Sequence, residues 1–144
     1  MKARAMKILM ADDDADDRML ARDALRKSRV INELVCVEDG EQLLAYLRRE
    51  PPFEDAERPG FILLDLNMPK KDGREALEEI KADPSLRRIP VVVLTTSKAE
   101  EDLLRSYDLG AASFITKPVT FEGLVELMQT LGRYWIELVE LPET

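Results

Sequence analysis

The stretch Phe61-Ile62-Leu63-Leu64-Asp65-Leu66-Asn67-Met68-Pro69-Lys70-Lys71-Asp72-Gly73 decides the fold. Four consecutive apolar residues closed by turn chemistry read as a strand buried on both faces, as in a parallel sheet. Asp65 ends that run, and the carboxyl ends of parallel strands are where such sheets hold their ligands. Pro69 and Gly73 punctuate a loop before the next helix. Taken alone, an aspartate there also reads as a turn or capping residue. Its meaning depends on what the other strand ends carry.

Toward the N-terminus, residues 8–11 (Ile-Leu-Met-Ala) form a short buried strand that runs into Asp12-Asp13-Asp14-Ala15-Asp16-Asp17. Leu20, Ala24 and Leu25 share one face of the helix that follows. Asp14 suits its N-cap and Asp17 its first turn, both favourable at the positive end of the helix dipole. Asp12 and Asp13 precede the helix, so capping does not explain them. Residues 33–37 read as a second strand. Gly40 and the spacing Leu43, Leu44, Leu47 mark a second helix. Residues 48–60, charged and proline-bearing, form a loop too polar for the core.

Toward the C-terminus, a helix over 74–81 stops before Asp83-Pro84. Residues 90–94 (Pro-Val-Val-Val-Leu) are a fourth strand ending in Thr95-Thr96-Ser97. A helix with Leu103, Leu104, Tyr107 and Leu109 closes at Gly110, a good C-cap. Residues 112–116 are a fifth strand, followed by Lys117-Pro118. The last helix starts near Thr120 and runs through Trp135. Strands alternating with helices across short turns predict an α/β, doubly wound parallel sheet covered on both faces. The expected organisation is a single domain over 1–144, with an extended C-terminal helix and tail over 120–142 and no room for an output domain.

Composition narrows the function. The 144 residues are 45% hydrophobic and 35% charged, with net charge −8, the balance of a globular domain. Such a surface repels phosphate backbones, which argues against nucleic-acid binding. No apolar run approaches the roughly 18 residues of a membrane span. Cys36, the only cysteine, reads as a small core residue between two valines, and a cytoplasmic location is expected. The absence of histidine removes the usual zinc ligand and the usual general base.

In the expected sheet, one edge collects Asp12 and Asp13 from the first strand, Asp65 from the third, Thr95 from the fourth and Lys117 from the fifth. Three carboxylates together are unfavourable, at roughly 4 kcal/mol per like-charge pair near 4 Å and an effective dielectric of 20. A hard cation removes that cost. Oxygen ligands without histidine or thiolate suit Mg²⁺, commonly completed by a phosphate. Lys117 and Thr95 offer a cation and a hydroxyl to phosphoryl oxygens. The constellation reads as a site that carries a phosphoryl group on Asp65.

The motifs Ile-Leu-Met-Ala-Asp12-Asp13, Leu-Leu-Asp65-Leu-Asn-Met-Pro-Lys-Lys-Asp-Gly, Pro-Val-Val-Val-Leu-Thr95 and Phe114-Ile-Thr-Lys117-Pro118 resemble the receiver domain of two-component response regulators, over nearly the whole chain. The resemblance implies strand order 2-1-3-4-5, a flavodoxin-like fold. It implies that Asp65 is the phosphoacceptor, charged from a phosphohistidine of a sensor histidine kinase. Asp12, Asp13, Asp65 and the backbone carbonyl of Asn67 would hold Mg²⁺, and Thr95 and Lys117 would contact the phosphoryl group. Thr95 and Phe114 occupy the switch positions, with Phe114 where many relatives have tyrosine. A cis Lys117–Pro118 bond follows too, with no enzymatic activity beyond self-phosphorylation and dephosphorylation.

More narrowly, the 48–60 loop, the Leu-Thr-Thr-Ser run and the tail Tyr134-Trp-Ile-Glu-Leu-Val-Glu-Leu-Pro142 resemble the stand-alone regulators paired with bacterial and cyanobacterial phytochromes. That implies a phytochrome-type kinase, such as a bacteriophytochrome, as partner. Phe121, Leu124, Val125, Met128, Leu131 and Trp135 make the apolar stripe of the last helix. Leu127, Tyr134 and Leu138 add apolar surface beyond it, and such a patch with an aromatic pair reads as an interface. The resemblance points the same way, to a homodimer through Leu127, Tyr134, Trp135 and Leu138.

Asp12-Asp13-Asp14 also reads as Asp-x-Asp, the opening of haloacid-dehalogenase-like Mg-dependent phosphatases, which use the first and third of these aspartates. Against it, the chain lacks a later acidic pair following a lysine. A flavodoxin-like electron carrier shares the fold but needs a Gly/Ser/Thr phosphate loop where this chain has aspartates. A receiver-shaped module that no longer accepts phosphate would not need the full constellation.

Overall fold

A computed structural model describes residues 6–28, 32–68, 70–105 and 109–132. The elements alternate: β1 (Met6–Ala11), α1 (Ala15–Lys27), β2 (Asn32–Val37), α2 (Gly40–Leu47), β3 (Phe61–Asp65), α3 (Gly73–Ala82), β4 (Val91–Thr95), α4 (Lys98–Arg105), β5 (Ser113–Thr116) and α5 (Phe121–Gly132). The strands pair in parallel in the order β2-β1-β3-β4-β5. Boundaries fall within one or two residues of the sequence reading, apart from the C-terminal ends of α4 and α5, described to Arg105 and Gly132, whose expected ends turn on residues outside those described. Tyr107 lies outside the described residues.

The two-residue period of the strands sorts the core into two layers. Leu9, Ile62, Leu64 and Val93 face one way, under Leu43, Leu77 and Leu104 of α2, α3 and α4. Ile8, Met10, Leu63 and Leu94 face the other, under Ala24, Leu25 and Met128 of α1 and α5. β3 and β4 are buried at every position, as their unbroken apolar runs require. The reversal of strand order beside β1 puts the switch point between the carboxyl ends of β1 and β3.

Local chemistry starts and stops these elements. The Asp14 carboxylate accepts from the amides of Asp16 and Asp17 at 2.8 and 3.2 Å, capping α1 as expected. Asp72 and Glu75 form a reciprocal capping box on α3. Gly110 sits at φ +80°, a left-handed conformation that glycine adopts without penalty.

Two expectations need correction. The loop over 48–60 is not wholly outside the core. Phe53 stacks at a tilt on Tyr46, ring centroids 5.5 Å apart, and Ala56 also packs on the α2–α3 layer. Burying two apolar side chains anchors an otherwise charged segment. Second, the cis peptide among the described residues is Pro51–Pro52, and Lys117–Pro118 is not cis. Trans is the intrinsic preference of an X–Pro bond, by about 0.5–1 kcal/mol. Leu127, expected at an interface, is half-buried against the α1–α5 layer. Tyr134, Trp135 and Leu138 lie outside the described residues.

Candidate phosphoryl-acceptor site

The carboxyl edge of the sheet gathers the residues that the sequence singled out. β1 delivers Asp12, fully buried, and Asp13, exposed. β3 delivers Asp65, 7% exposed, and β4 delivers Thr95, fully buried. Lys117 follows β5, its amide donating to the Thr95 carbonyl at 2.7 Å. Packing at Gly73 holds the turn after Asp65 tightly. A Cβ there would lie 2.5 Å from the Asp65 carbonyl oxygen and 2.8 Å from Leu66 Cα, so only glycine fits.

Asp12 is satisfied from several sides. Its Oδ1 accepts from the Asp14 amide at 3.0 Å and its Oδ2 from Lys117 Nζ at 2.8 Å. Arg18 Nη1 donates to its carbonyl at 2.7 Å. Lys117 Nζ also donates to Asp17 Oδ2 at 2.8 Å and stands 3.9 Å from Asp65 Oδ2. Asp65 Oδ1 receives only a long bond, from the Asn67 amide at 3.4 Å. Burial pushes the Asp65 carboxyl up to about 6, against the pull of Lys117 and with further upward pressure from Asp12. Burial works against the Lys117 ammonium, but its bonds to Asp12 and Asp17 outweigh that and raise it above its ordinary value.

Oxygen atoms of Asp12, Asp13 and Asp65 lie within 4.8 Å of one another. Such a trio of hard carboxylate donors, two of them buried, fits a divalent cation such as Mg²⁺. The raised carboxyl of Asp65 fits the same reading, because a buried carboxylate, pressed further by Asp12, is favoured in its ionised form once a cation neutralises it.

Thr95 Oγ1 donates to the carbonyls of Ser97 and Ile115, at 3.2 and 3.4 Å, so its hydroxyl is directed at backbone. Phe114 is buried in the α2–α3–α4 layer. Asp14 is occupied as a helix cap, which leaves it unfit as the acid/base of an Asp-x-Asp phosphatase.

Sequence reasoning missed Asp17, assigned only to the helix dipole. Its position in the first turn of a helix that starts at the site edge was the available signal. It missed Glu101 as well, a buried carboxylate of α4 that accepts from the Thr116 amide at 2.9 Å and from Lys98 Nζ at 2.5 Å. Glu101 ties α4 to β5 immediately before Lys117.

A five-stranded 2-1-3-4-5 sheet with an acidic trio facing a lysine defines the class of phosphoacceptor receiver proteins. The family description "Response regulator receiver domain" matches residues 8–129, and the chain belongs to that family. Among relatives, it is similar to the response regulator Rcp1 of Synechocystis sp., 44% identical over 135 residues covering 94% of this chain and 92% of Rcp1. The crystal structure of the phosphorylated cyanobacterial phytochrome response regulator RcpA superposes with a TM-score of 0.87 at 46% identity, covering 97% of this chain and all 100% of that one. The Mn²⁺-bound form of Rcp1 superposes with a TM-score of 0.83 at 43% identity, covering 96% and 99%. No helix among the described residues is long and apolar enough to cross a membrane.

Proposed function

We propose that Asp65 is the residue phosphorylated in this response regulator, and that the donor is a phosphohistidine of a phytochrome-type sensor histidine kinase. The observation that carries the assignment is a half-engaged, buried carboxylate in the sheet centre, with acidic partners on one side and the Lys117 ammonium 3.9 Å away on the other. An Asp65 oxygen attacks phosphorus in line. An acyl–phosphate bond forms, the P–N bond breaks, and the imidazole leaves with that electron pair, neutral when its other nitrogen carries a proton. Lys117 and Thr95 accept the task of binding phosphoryl oxygens, which requires Lys117 to shift from Asp17 and Thr95 to turn from backbone carbonyls.

Asp12, Asp13, Asp65 and the Asn67 carbonyl would hold Mg²⁺, which supplies charge neutralisation at the transferring group when bound. The chain acts only on itself, in the cytoplasm. The likeness to the cyanobacterial phytochrome response regulator RcpA supports the phytochrome pairing. The run of apolar residues in the sequence of the last helix and tail supports a homodimer. Thr95 and Phe114 would pass the phosphorylation state to partners.

Radiolabelled acetyl phosphate and candidate kinases test the acceptor. Asp65→Asn abolishes acid-stable, hydroxylamine-sensitive label, whereas Asp14→Asn retains it. Label that persists in Asp65→Asn and disappears in Asp12→Asn overturns the assignment.

A further inference from the structure

A cavity of about 350 Å³ opens at the opposite, amino edge of the sheet. It lies between the end of α2, the segment entering β3 and the segment entering β4. That volume is at the lower end of the roughly 300–1,000 Å³ of ligand pockets. Tyr46, Leu47, Leu86 and Ile89 supply apolar walls, and three arginines, Arg48, Arg49 and Arg58, line it with Glu57. Three positive groups less one negative leave +2, in a chain whose net charge is −8.

The three guanidinium groups differ in what occupies them. Arg48 is within 3.7 Å of Glu79 and 3.8 Å of Asp83, and so is largely neutralised. Arg58 donates to the Ser85 carbonyl at 2.9 Å, which fixes its direction without cancelling its charge. Arg49 projects from a left-handed backbone at φ +57°, a conformation that costs a non-glycine residue energy and persists only when its surroundings impose it. Among the described residues no carboxylate pairs with Arg49 or Arg58. The one acid in the lining, Glu57, is drawn toward Lys7 at 3.8 Å.

Two guanidinium groups without a carboxylate partner, lining one cavity that also has apolar walls, suit an anion. Their planar forks match phosphate oxygens. The two guanidinium charges of Arg49 and Arg58 also match the charge of about −1.5 to −2 that a phosphomonoester carries at pH 7. We infer that this cavity binds a small organic phosphate of about mononucleotide size, its phosphate held by Arg49 and Arg58 and its ring resting on the apolar walls.

Titration of the isotopically labelled full chain with AMP, in chelator so that the acidic edge holds no metal, tests this by amide chemical shifts. AMP is expected to move the amides of 46–49, 56–58 and 85–89 with saturation near or below about 1 mM. Adenosine and inorganic phosphate should each bind about tenfold more weakly, having only one of the two recognised parts. Arg49→Asn removes the guanidinium while tolerating the left-handed backbone, and should weaken AMP about tenfold. Glu57→Gln should tighten it, so the inference does not hang on loss alone. The absence of saturable AMP shifts at these amides overturns the site, as does equal affinity in Arg49→Asn. Inorganic phosphate binding as tightly as AMP overturns the organic ligand. Acetyl phosphate labelling of Asp65 should be untouched in both variants, which separates this outcome from the fate of the acceptor assignment.

Discussion

Lys117 Nζ stands 2.8 Å from Asp12 Oδ2, closer than its 3.9 Å to Asp65 Oδ2. The lysine thus neutralises the fully buried Asp12 while standing beside Asp65, the proposed acceptor. Lys117→Met would leave Asp12 buried without its cation. Breaking such a pair costs about 3 kcal/mol, so the metal-free variant should unfold at lower urea. The same loss of positive charge should tighten Mg²⁺ binding by calorimetry, because the trio then lacks its internal counter-ion. Unchanged Mg²⁺ affinity would show that Lys117 and the metal do not share the trio.

Asp13 differs from its neighbour in being exposed. Removing it relieves repulsion without uncovering a buried partner. Asp13→Ala should therefore melt at or above the wild-type temperature in chelator. It should also lose most of the Mg²⁺-induced rise in melting temperature, since that rise reports binding to the native state. An undiminished rise removes Asp13 from the ligand set.

The raised Asp65 carboxyl makes metal-free stability depend on pH. Its folded value is about 6 against an ordinary 3.8, so between these values the folded state binds more protons than the unfolded one. Stability from this group is present below about pH 4 and is lost as pH rises through 6, a change of about 2–3 kcal/mol. Urea unfolding of wild type and Asp65→Asn in chelator, at pH 4.5 and 7, isolates it. The variant should gain on wild type at pH 7. Saturating Mg²⁺ should flatten the difference by favouring the ionised form, and a pH-independent difference in chelator refutes the shift.

The interface prediction rests on the tail. Deleting residues 134–144 should convert a micromolar homodimer to a monomer that still labels at Asp65. Light scattering with and without the deletion checks it. A wild-type monomer at high concentration ends the homodimer reading.

Fold and site were legible in the sequence where a local rule has one outcome. The runs Phe61-Ile-Leu-Leu and Val91-Val-Val-Leu read as strands buried on both faces, and Asp14 ahead of an apolar-faced helix reads as its N-cap. Parallel strands then bring Asp12, Asp13, Asp65, Thr95 and Lys117 to one edge without reference to any side-chain angle. What needed the tertiary structure depends on small energies or on the path of a loop. Asp17 meets Lys117 across 100 residues of chain, a choice among nearby acids that no spacing encodes. Phe53 reaches Tyr46, and Arg49 and Arg58 come to share a cavity, only because the 48–60 loop folds back over the amino edge of the sheet. The isomer of Lys117–Pro118 turns on an intrinsic difference of about 1 kcal/mol or less, small enough for surrounding contacts to decide it.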